Sequence, residues 1–180
     1  MKKIHFMVLM VFCAVVWALP SPPQAPVQEA SPWDSLQFLV GSWSGVGSGQ
    51  PGEAVSGATR FGWDLDKKVL IRKNRAEYAP KAGEKKNVVH DDLMVFYQQA
   101  GEKGLRAIYF DNEGHVIRYA VTVPAKTSSV ILDSDPAEKG PRFRLVYDLS
   151  KEGVLSVEFL IGPPGGELKS YTKGILKRAP

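Results

Sequence analysis

The stretch VVHDDLMVFYQQAGEKGLRAIYFDNEGHVIRYAVTV contains three segments rich in β-branched and aromatic residues. These segments are Val88–Gln98, Leu105–Asp111 and His115–Val123. A loop with two glycines separates the first two, and the tight-turn sequence Asp111–Gly114 separates the last two. Because a parallel connection needs about a dozen residues, loops this short join antiparallel neighbours. The stretch therefore predicts a three-stranded meander as the nucleus of the fold.

Segments of the same character continue on both sides of the meander. Most of them are separated by turns that contain Gly, Pro, Asp or Ser. Alternation is strictest in Arg142–Asp148, where Phe143, Leu145 and Tyr147 share one face. The segments outside the meander bring the total to roughly ten short strands. They are Gly41–Gly47, Gly57–Leu65, Lys68–Tyr78, Ser129–Leu132, Arg142–Leu149, Val154–Ile161 and Leu168–Lys177.

This pattern predicts an all-β fold, an antiparallel up-and-down β-barrel of roughly ten strands with one short N-terminal helix. Closure of the sheet into a barrel would explain why the apolar residues lie on one face of each strand. It would also leave no exposed strand edge. A barrel of about ten strands is wider than its side chains need fill, so we expect an internal cavity. The helix begins near Trp33, since Ser31 can cap it and Pro32 suits its first position.

The N-terminus has the composition of an export signal. Two lysines precede an apolar run too short to span a bilayer, and prolines follow that run. We therefore predict a signal peptide over residues 1–18, a Pro-rich linker over residues 19–32 and a barrel domain over residues 33–180. An uncleaved anchor is the alternative. The one cysteine, Cys13, lies in the leader, so the predicted mature domain has no disulfide and is periplasmic or secreted.

Charge and motifs exclude several classes of function. The formal net charge of +4 falls to +2 without Lys2 and Lys3, which argues against a nucleic-acid partner. No stable membrane span is expected after cleavage of the leader. The sequence beyond the leader contains no nucleophile elbow, P-loop or zinc-protease motif. Asp91 and Asp92 are strand neighbours on opposite faces and cannot act as a catalytic pair, so we expect no enzyme.

The segment FLVGSWSGVG, from Phe38 to Gly47, resembles the Gly-x-Trp opening of the calycins, the superfamily of lipocalins and fatty-acid-binding proteins. The motif Gly-x-Trp-x-Gly-x-Gly, over Gly41–Gly47, is most similar to that of nitrobindin and of an uncharacterised group of secreted bacterial lipocalin-like proteins. The resemblance extends over about Trp33 to Arg178. The stretches that are similar to the bacterial group are Arg72–Tyr78, His90–Met94, Asp111–Ile117, Gly140–Leu145 and Pro163–Gly165.

The resemblance implies roles for two structural residues and argues against a cofactor. In calycins the tryptophan packs across one barrel end under a basic residue from near the chain's end, here Lys177 or Arg178. Trp43 and Arg178 are therefore expected to be structural. Nitrobindin holds haem through a histidine in the C-terminal part of its barrel. The histidines of this sequence are His5, His90 and His115, so we expect neither haem nor another cofactor.

Pairing the meander residue by residue brings polar side chains together at one end of the barrel. His90–Asp92 should lie across from about Phe110–Asn112 on one side and from Asn74–Glu77 on the other. The predicted cluster consists of Asn74, Glu77, His90, Asp92, Asp111 and His115. Three interpretations stay open. They are a network of turn-capping hydrogen bonds, a polar mouth that orients a ligand, and a metal site of two histidines with carboxylates.

The main functional hypothesis is a binding protein for a small, partly apolar molecule held inside the barrel. The rival is a closed-barrel envelope or protein-interaction module, with its protein partner unknown. A weak enzyme that uses the polar mouth is the third hypothesis. The orientation of Arg72 and Arg118 helps to separate the first two, because an inward arginine needs an anion or an internal partner.

Overall fold

Ten antiparallel strands close into a barrel in the computed structural model, which describes residues 31–45, 54–80, 83, 86–136 and 139–180. Each strand pairs with its sequence neighbours, and the first and last strands close the ring. The prediction of an all-β, up-and-down barrel is therefore confirmed. The strands are β1 (Gly41–Gly45), β2 (Ala54–Asp64), β3 (Val69–Tyr78), β4 (Val88–Gln98), β5 (Leu105–Asp111), β6 (Val116–Thr122), β7 (Ser129–Ser134), β8 (Arg142–Leu149), β9 (Leu155–Gly162) and β10 (Lys169–Arg178).

The predicted N-terminal helix is a short 3-10 helix over Asp34–Leu39. Residues 1–18, the predicted signal peptide, and residues 19–30 of the linker lie outside the described residues. In the part of the chain that the structure describes, no helix is long and apolar enough to cross a membrane.

The 3-10 helix covers one end of the barrel, which we call the closed end. Leu36 and Leu39 of this helix are fully buried. Trp43 of β1 lies beneath them and donates a hydrogen bond from Nε1 to the Leu39 carbonyl at 2.7 Å. The guanidinium of Arg178 lies 4.2 Å from the centre of the Trp43 ring and donates to the Val40 carbonyl at 2.5 Å. Of the two candidate basic residues, Arg178 is the one on the ring.

The two glycines that flank Trp43 allow this close approach. Gly41 has a φ of +122°, and a Cβ there would lie 2.5 Å from the Arg178 Nη1 atom. A Cβ at Gly45 would lie 2.2 Å from the Ile175 carbonyl oxygen of β10. The Gly-x-Trp-x-Gly spacing therefore reflects the seam where β1 meets β10.

The interior changes character along the barrel axis. Next to the closed end it is filled by large apolar side chains, such as Phe61, Leu70 and Phe96, which are all buried. Towards the other end, inward positions of β3, β4 and β5 carry polar groups. We call that other end the polar end. The candidate site lies between the apolar core and this end.

Candidate functional site

A buried ion pair marks the boundary between the apolar core and the polar end. Arg72 of β3 is only 7% exposed. It points inward because it is two residues from the buried Leu70, and every second residue of a strand lies on the same face. Its Nη2 atom donates to both carboxylate oxygens of Asp92 on β4, at 2.6 and 2.8 Å. Its Nη1 atom donates to the Tyr147 hydroxyl of β8. Since β8 lies five strands from β3 around the ring, this contact crosses the barrel.

The protonation states of this layer follow from burial and charge. Burial disfavours the Arg72 cation, but the Tyr147 oxygen and the Asp92 carboxylate outweigh it, so the pKa of Arg72 is raised. Burial raises the pKa of Tyr147 to about 12, although the nearby Arg72 opposes this shift. At neutral pH the layer therefore holds a cationic guanidinium and an un-ionised phenol. The Arg72 Nε atom is buried without a hydrogen-bond partner among the described residues.

A chain of hydrogen bonds leads from Asp92 towards the polar end. Asn74 donates from Nδ2 to Asp92 Oδ2 at 2.8 Å, as expected for residues paired across β3 and β4. His90 is two residues before Asp92 on the same face, with Nε2 at 3.7 Å from Asp92 Oδ2. The same Nε2 atom lies 2.9 Å from the Tyr109 hydroxyl of β5. Tyr109 in turn donates to Asp111 Oδ2 at 3.1 Å.

Asp111 has a capping role at the β5–β6 turn. Its carboxylate accepts hydrogen bonds from the backbone N–H groups of Glu113, at 3.0 Å, and His115, at 2.8 Å. The His115 Nδ1 atom lies 2.9 Å from its second oxygen. Burial raises the pKa of Asp111, but the bonds from His115, Glu113 and Tyr109 outweigh burial and lower it overall. This residue fits the turn-capping interpretation.

His90 connects the hydrogen-bond chain to the β5–β6 turn. Tyr109 has one proton and donates it to Asp111, so His90 must donate from Nε2 to the phenolic oxygen. The His90 Nδ1 atom lies 3.1 Å from Glu113 Oε1. The two contacts of His90 tie Glu113 of the β5–β6 turn to β4 and, through Tyr109, to β5.

The structure brings together Asn74, His90, Asp92 and Asp111, linked through Tyr109. Their pairing agrees with the predicted register, since Asp92 pairs with both Asn74 and Asp111. His115 joins only at the rim, where its side chain is 62% exposed.

Glu77 lies apart from the cluster. Its carboxylate is 3.6 Å from the Arg75 Nε atom and 3.5 Å from the Asn87 Nδ2 atom, on the outer face. The reason is strand parity, because Glu77 is an odd number of residues from the inward Asn74. The same rule separates Asp91 from Asp92. Asp91 points outward and pairs with Arg75 at 3.0 Å.

Three contributors were not part of the predicted cluster. They are Tyr109, Tyr147 and Glu113. Tyr109 has the parity of Asp111, so alternation alone could have placed it inward. The contact of Tyr147 with Arg72 could not have been found this way, because it depends on which strands face each other across a closed ring.

Aromatic side chains occupy the wall opposite the polar groups. The ring order places β8, β9 and β10 opposite β3, β4 and β5. Phe143 and Phe159 stack with ring centres 5.7 Å apart and planes 12° apart. Tyr171 meets Phe159 edge-on at 6.3 Å and is 71% exposed. The polar end thus presents hydrogen-bonding groups on one wall and aromatic faces on the other.

Two depressions of the described surface lie outside the barrel. They have volumes of about 350 and 450 Å³ and are centred on the outer wall between β1 and β5. The internal cavity expected from strand number is not among them. Inside the barrel, Phe61, Phe96, Tyr119, Tyr147 and Arg72 are buried side chains.

Among the described residues, no group of three His, Cys, Asp or Glu side chains is arranged to hold a metal ion. No family model and no curated protein matches the sequence. The closed barrel of ten antiparallel strands is compatible with a calycin-like fold.

Proposed function

We propose that the protein is an extracytoplasmic, calycin-like binding protein for a small, partly apolar molecule, held at the polar end of the barrel. The relationship to nitrobindin and to secreted bacterial lipocalin-like proteins belongs to this proposal, as does a periplasmic or secreted location. The support for export is the leader-like sequence of residues 1–18. The support for binding is the arrangement of polar and aromatic walls.

The buried polar network is the observation that carries the proposal. A buried Arg–Asp pair does not by itself make a fold more stable than well-packed apolar side chains would. The Arg72–Asp92 pair and the groups bonded to it therefore call for another role. Small-molecule sites typically combine an apolar lining with a few fixed polar groups that set orientation. The polar end has both, with Phe159 facing the strand that carries His90 and Asp92.

The charges of the site restrict the ligand. The Arg72 cation is matched by a bidentate carboxylate, and the Asp111 carboxylate is matched by hydrogen bonds from its own turn. The site therefore offers hydrogen bonds without an unmatched charge. A molecule with a flat or extended apolar part and an uncharged polar group fits this chemistry best.

A fluorescence titration tests the proposal. The probe is a long-chain alcohol that carries an environment-sensitive fluorophore, and the variant is Tyr109→Phe, which removes one hydroxyl and keeps the ring. Loss of an orienting hydrogen bond should weaken binding by about 0.5–1.5 kcal/mol, measured at a temperature where melts show that the variant is folded. The matched control is Tyr97→Phe on the outer face of β4, which should bind like wild type. Equal affinity for Tyr109→Phe and wild type, or no binding by either, would contradict the proposal.

The second candidate is a closed-barrel interaction module, and one observation favours it. Phe110 and Val116 are paired on β5 and β6 and expose their side chains on the outer wall, by 38% and 53%. Exposed apolar pairs of this kind can contribute to a protein interface. Such a module would bind no small molecule, and Phe110→Ser would weaken its protein contacts while Tyr109→Phe would not. A weak enzyme that uses the polar end stays the third hypothesis.

A further inference from the structure

Cations surround a shallow depression on the outer wall of β1, β2 and β3. The depression has a volume of about 350 Å³. The outward side chains at its centre are short, and those around it are basic and exposed, apart from the acidic Asp91 beside Arg75. We call this surface the outer basic patch. It consists of Ser42, Ser44, Ala58, Arg60, Lys73, Arg75 and Lys177.

Strand register fixes the arrangement of the patch. Ser44 pairs with Ala58 of β2 on one side and with Lys177 of β10 on the other. In the next row Arg60 of β2 pairs with Lys73 of β3. Directly paired residues on one face have Cβ atoms about 5 Å apart. Two small side chains therefore lie within reach of basic residues on both flanking strands.

The pair of Arg60 and Lys73 has no structural explanation within the sheet. Like charges directly opposite each other destabilise a pair of strands. Elsewhere the outer wall pairs opposite charges, as with Arg144 and Asp133 at 2.7 Å. Among the described residues neither Arg60 nor Lys73 forms an ion pair, whereas Arg75 is matched by Asp91 at 3.0 Å. Within the part of the chain that the structure describes, the depression therefore has two positive charges on its border without an ion-pair partner.

We propose that the outer basic patch binds an oxyanion of the phosphate type. Arg60 and Lys73 supply the positive charge, and the hydroxyl groups of Ser42 and Ser44 can donate hydrogen bonds to its oxygens. The space above Ala58 admits the group. Because the cations are exposed, binding weakens as salt concentration rises. This site is distinct from the polar end, which lies inside the barrel.

The first arm of the test uses inorganic phosphate and the full chain at low ionic strength, followed by NMR amide shifts. Saturable shifts should centre on Ser44 and Ala58. The double substitution Arg60→Gln/Lys73→Gln should weaken binding by about tenfold or more, since each removes a charge-assisted contact. Ala58→Leu keeps every charge and fills the depression, and it should also abolish the saturable shifts.

A charge-matched control separates a site from general attraction. Arg118→Gln/Lys151→Gln removes two exposed cations elsewhere on the surface and should change the affinity by no more than about twofold. Equal losses in this control and in the patch variant would overturn the proposal, as would wild-type binding by Ala58→Leu. Thermal melts establish that each variant is folded.

The second arm distinguishes a free phosphate ester from a lipid headgroup. Vesicles of phosphatidylcholine with phosphatidylglycerol are compared with vesicles of phosphatidylcholine alone in a flotation assay. Binding to the anionic vesicles that is lost in Ala58→Leu identifies a headgroup as the source of the phosphate. Saturable binding of phosphate without vesicle binding identifies a soluble ester. The absence of saturable binding in both arms would overturn the proposal.

Discussion

The two ends of the barrel are built by different chemistry. At the closed end, Trp43, Leu36 and Leu39 bury large apolar surfaces, and the polar atoms of Trp43 and Arg178 bond to backbone carbonyls of the same end. At the polar end, the inward groups bond mainly to other side chains. Side-chain networks of this kind contribute little net stability compared with apolar packing. The comparison assigns most of the stability to the closed end, whereas the polar end is the proposed place of recognition.

The largest expected effect is the loss of Trp43. Replacement of a fully buried tryptophan by alanine typically destabilises a protein by about 3–5 kcal/mol. Trp43→Ala should therefore lower the denaturant midpoint strongly, in a chemical unfolding experiment followed by circular dichroism. Trp33→Ala is the matched control, because Trp33 lies at the same end but is only half-buried. Its replacement should lower the free energy of unfolding by a smaller amount. If Trp43→Ala left the unfolding midpoint unchanged, the packing of Trp43 at the closed end would not be a source of stability, and the account would be wrong.

Asp92→Ala should have an effect nearly as large, for the opposite reason. It leaves the Arg72 guanidinium buried without its carboxylate, which typically destabilises by about 3–5 kcal/mol. The double substitution Arg72→Met/Asp92→Leu should restore most of the loss, since no buried charge remains. Urea unfolding of both variants measures this.

The neighbouring residue gives the control for that experiment. Asp91→Ala breaks only the exposed pair with Arg75, and such pairs contribute about 0–1 kcal/mol. If the double substitution were as unstable as Asp92→Ala alone, the ion pair itself would be a source of stability. The contrast between the two ends would then fail.

Arg178→Ala should have an intermediate effect at the closed end. The cation–π contact with Trp43 contributes about 0.5–2 kcal/mol, and the hydrogen bonds to the Phe38 and Val40 carbonyls add to it. Thermal melts should show a smaller decrease than for Trp43→Ala. The adjacent Lys177→Ala is the control and should leave the melting temperature unchanged. Equal decreases for both substitutions would show that Arg178 has no special role.

The smallest effect concerns acid stability at the polar end. The native pKa of Asp111 is lowered below its ordinary value of 3.8, so this carboxylate stabilises the fold above that pH. The contribution is lost as pH falls through the lowered native value. Asp111→Asn should therefore be less stable than wild type at pH 7, and the difference should shrink below about pH 4. Melting temperatures measured between pH 7 and pH 2.5 test this, and a constant difference would contradict it.

Strand number, closure and register could be predicted from the sequence, because alternation and short turns are local properties. The pairing of Asn74, Asp92 and Asp111 followed from loop lengths alone. Glu77 was assigned to the cluster because it is near Asn74 along the strand. It is three residues from Asn74, however, and therefore lies on the opposite, outer face. Placement errors of this kind could have been avoided by counting residues.

Other features depend on the closed three-dimensional ring and have no local signal. The hydrogen bond between Arg72 and Tyr147 joins residues 75 positions apart on opposite walls. The contact between Phe61 and Tyr147 is a second example, because strand number alone does not show which side chains meet inside the ring. Sequence could identify Arg72 as a residue whose orientation mattered, but the barrel geometry determines its partners.

Native mass spectrometry of the protein recovered from the cells that produce it tests the central claim most directly. The account predicts a retained small molecule of defined mass in the wild-type protein and in Lys177→Ala, which changes only the exterior of the closed end. It predicts loss of that mass in Phe159→Ala, which removes an aromatic face of the polar end, once circular dichroism has shown that the variant is folded. A wild-type protein that carries no small molecule, or a mass that persists in Phe159→Ala, would contradict the account.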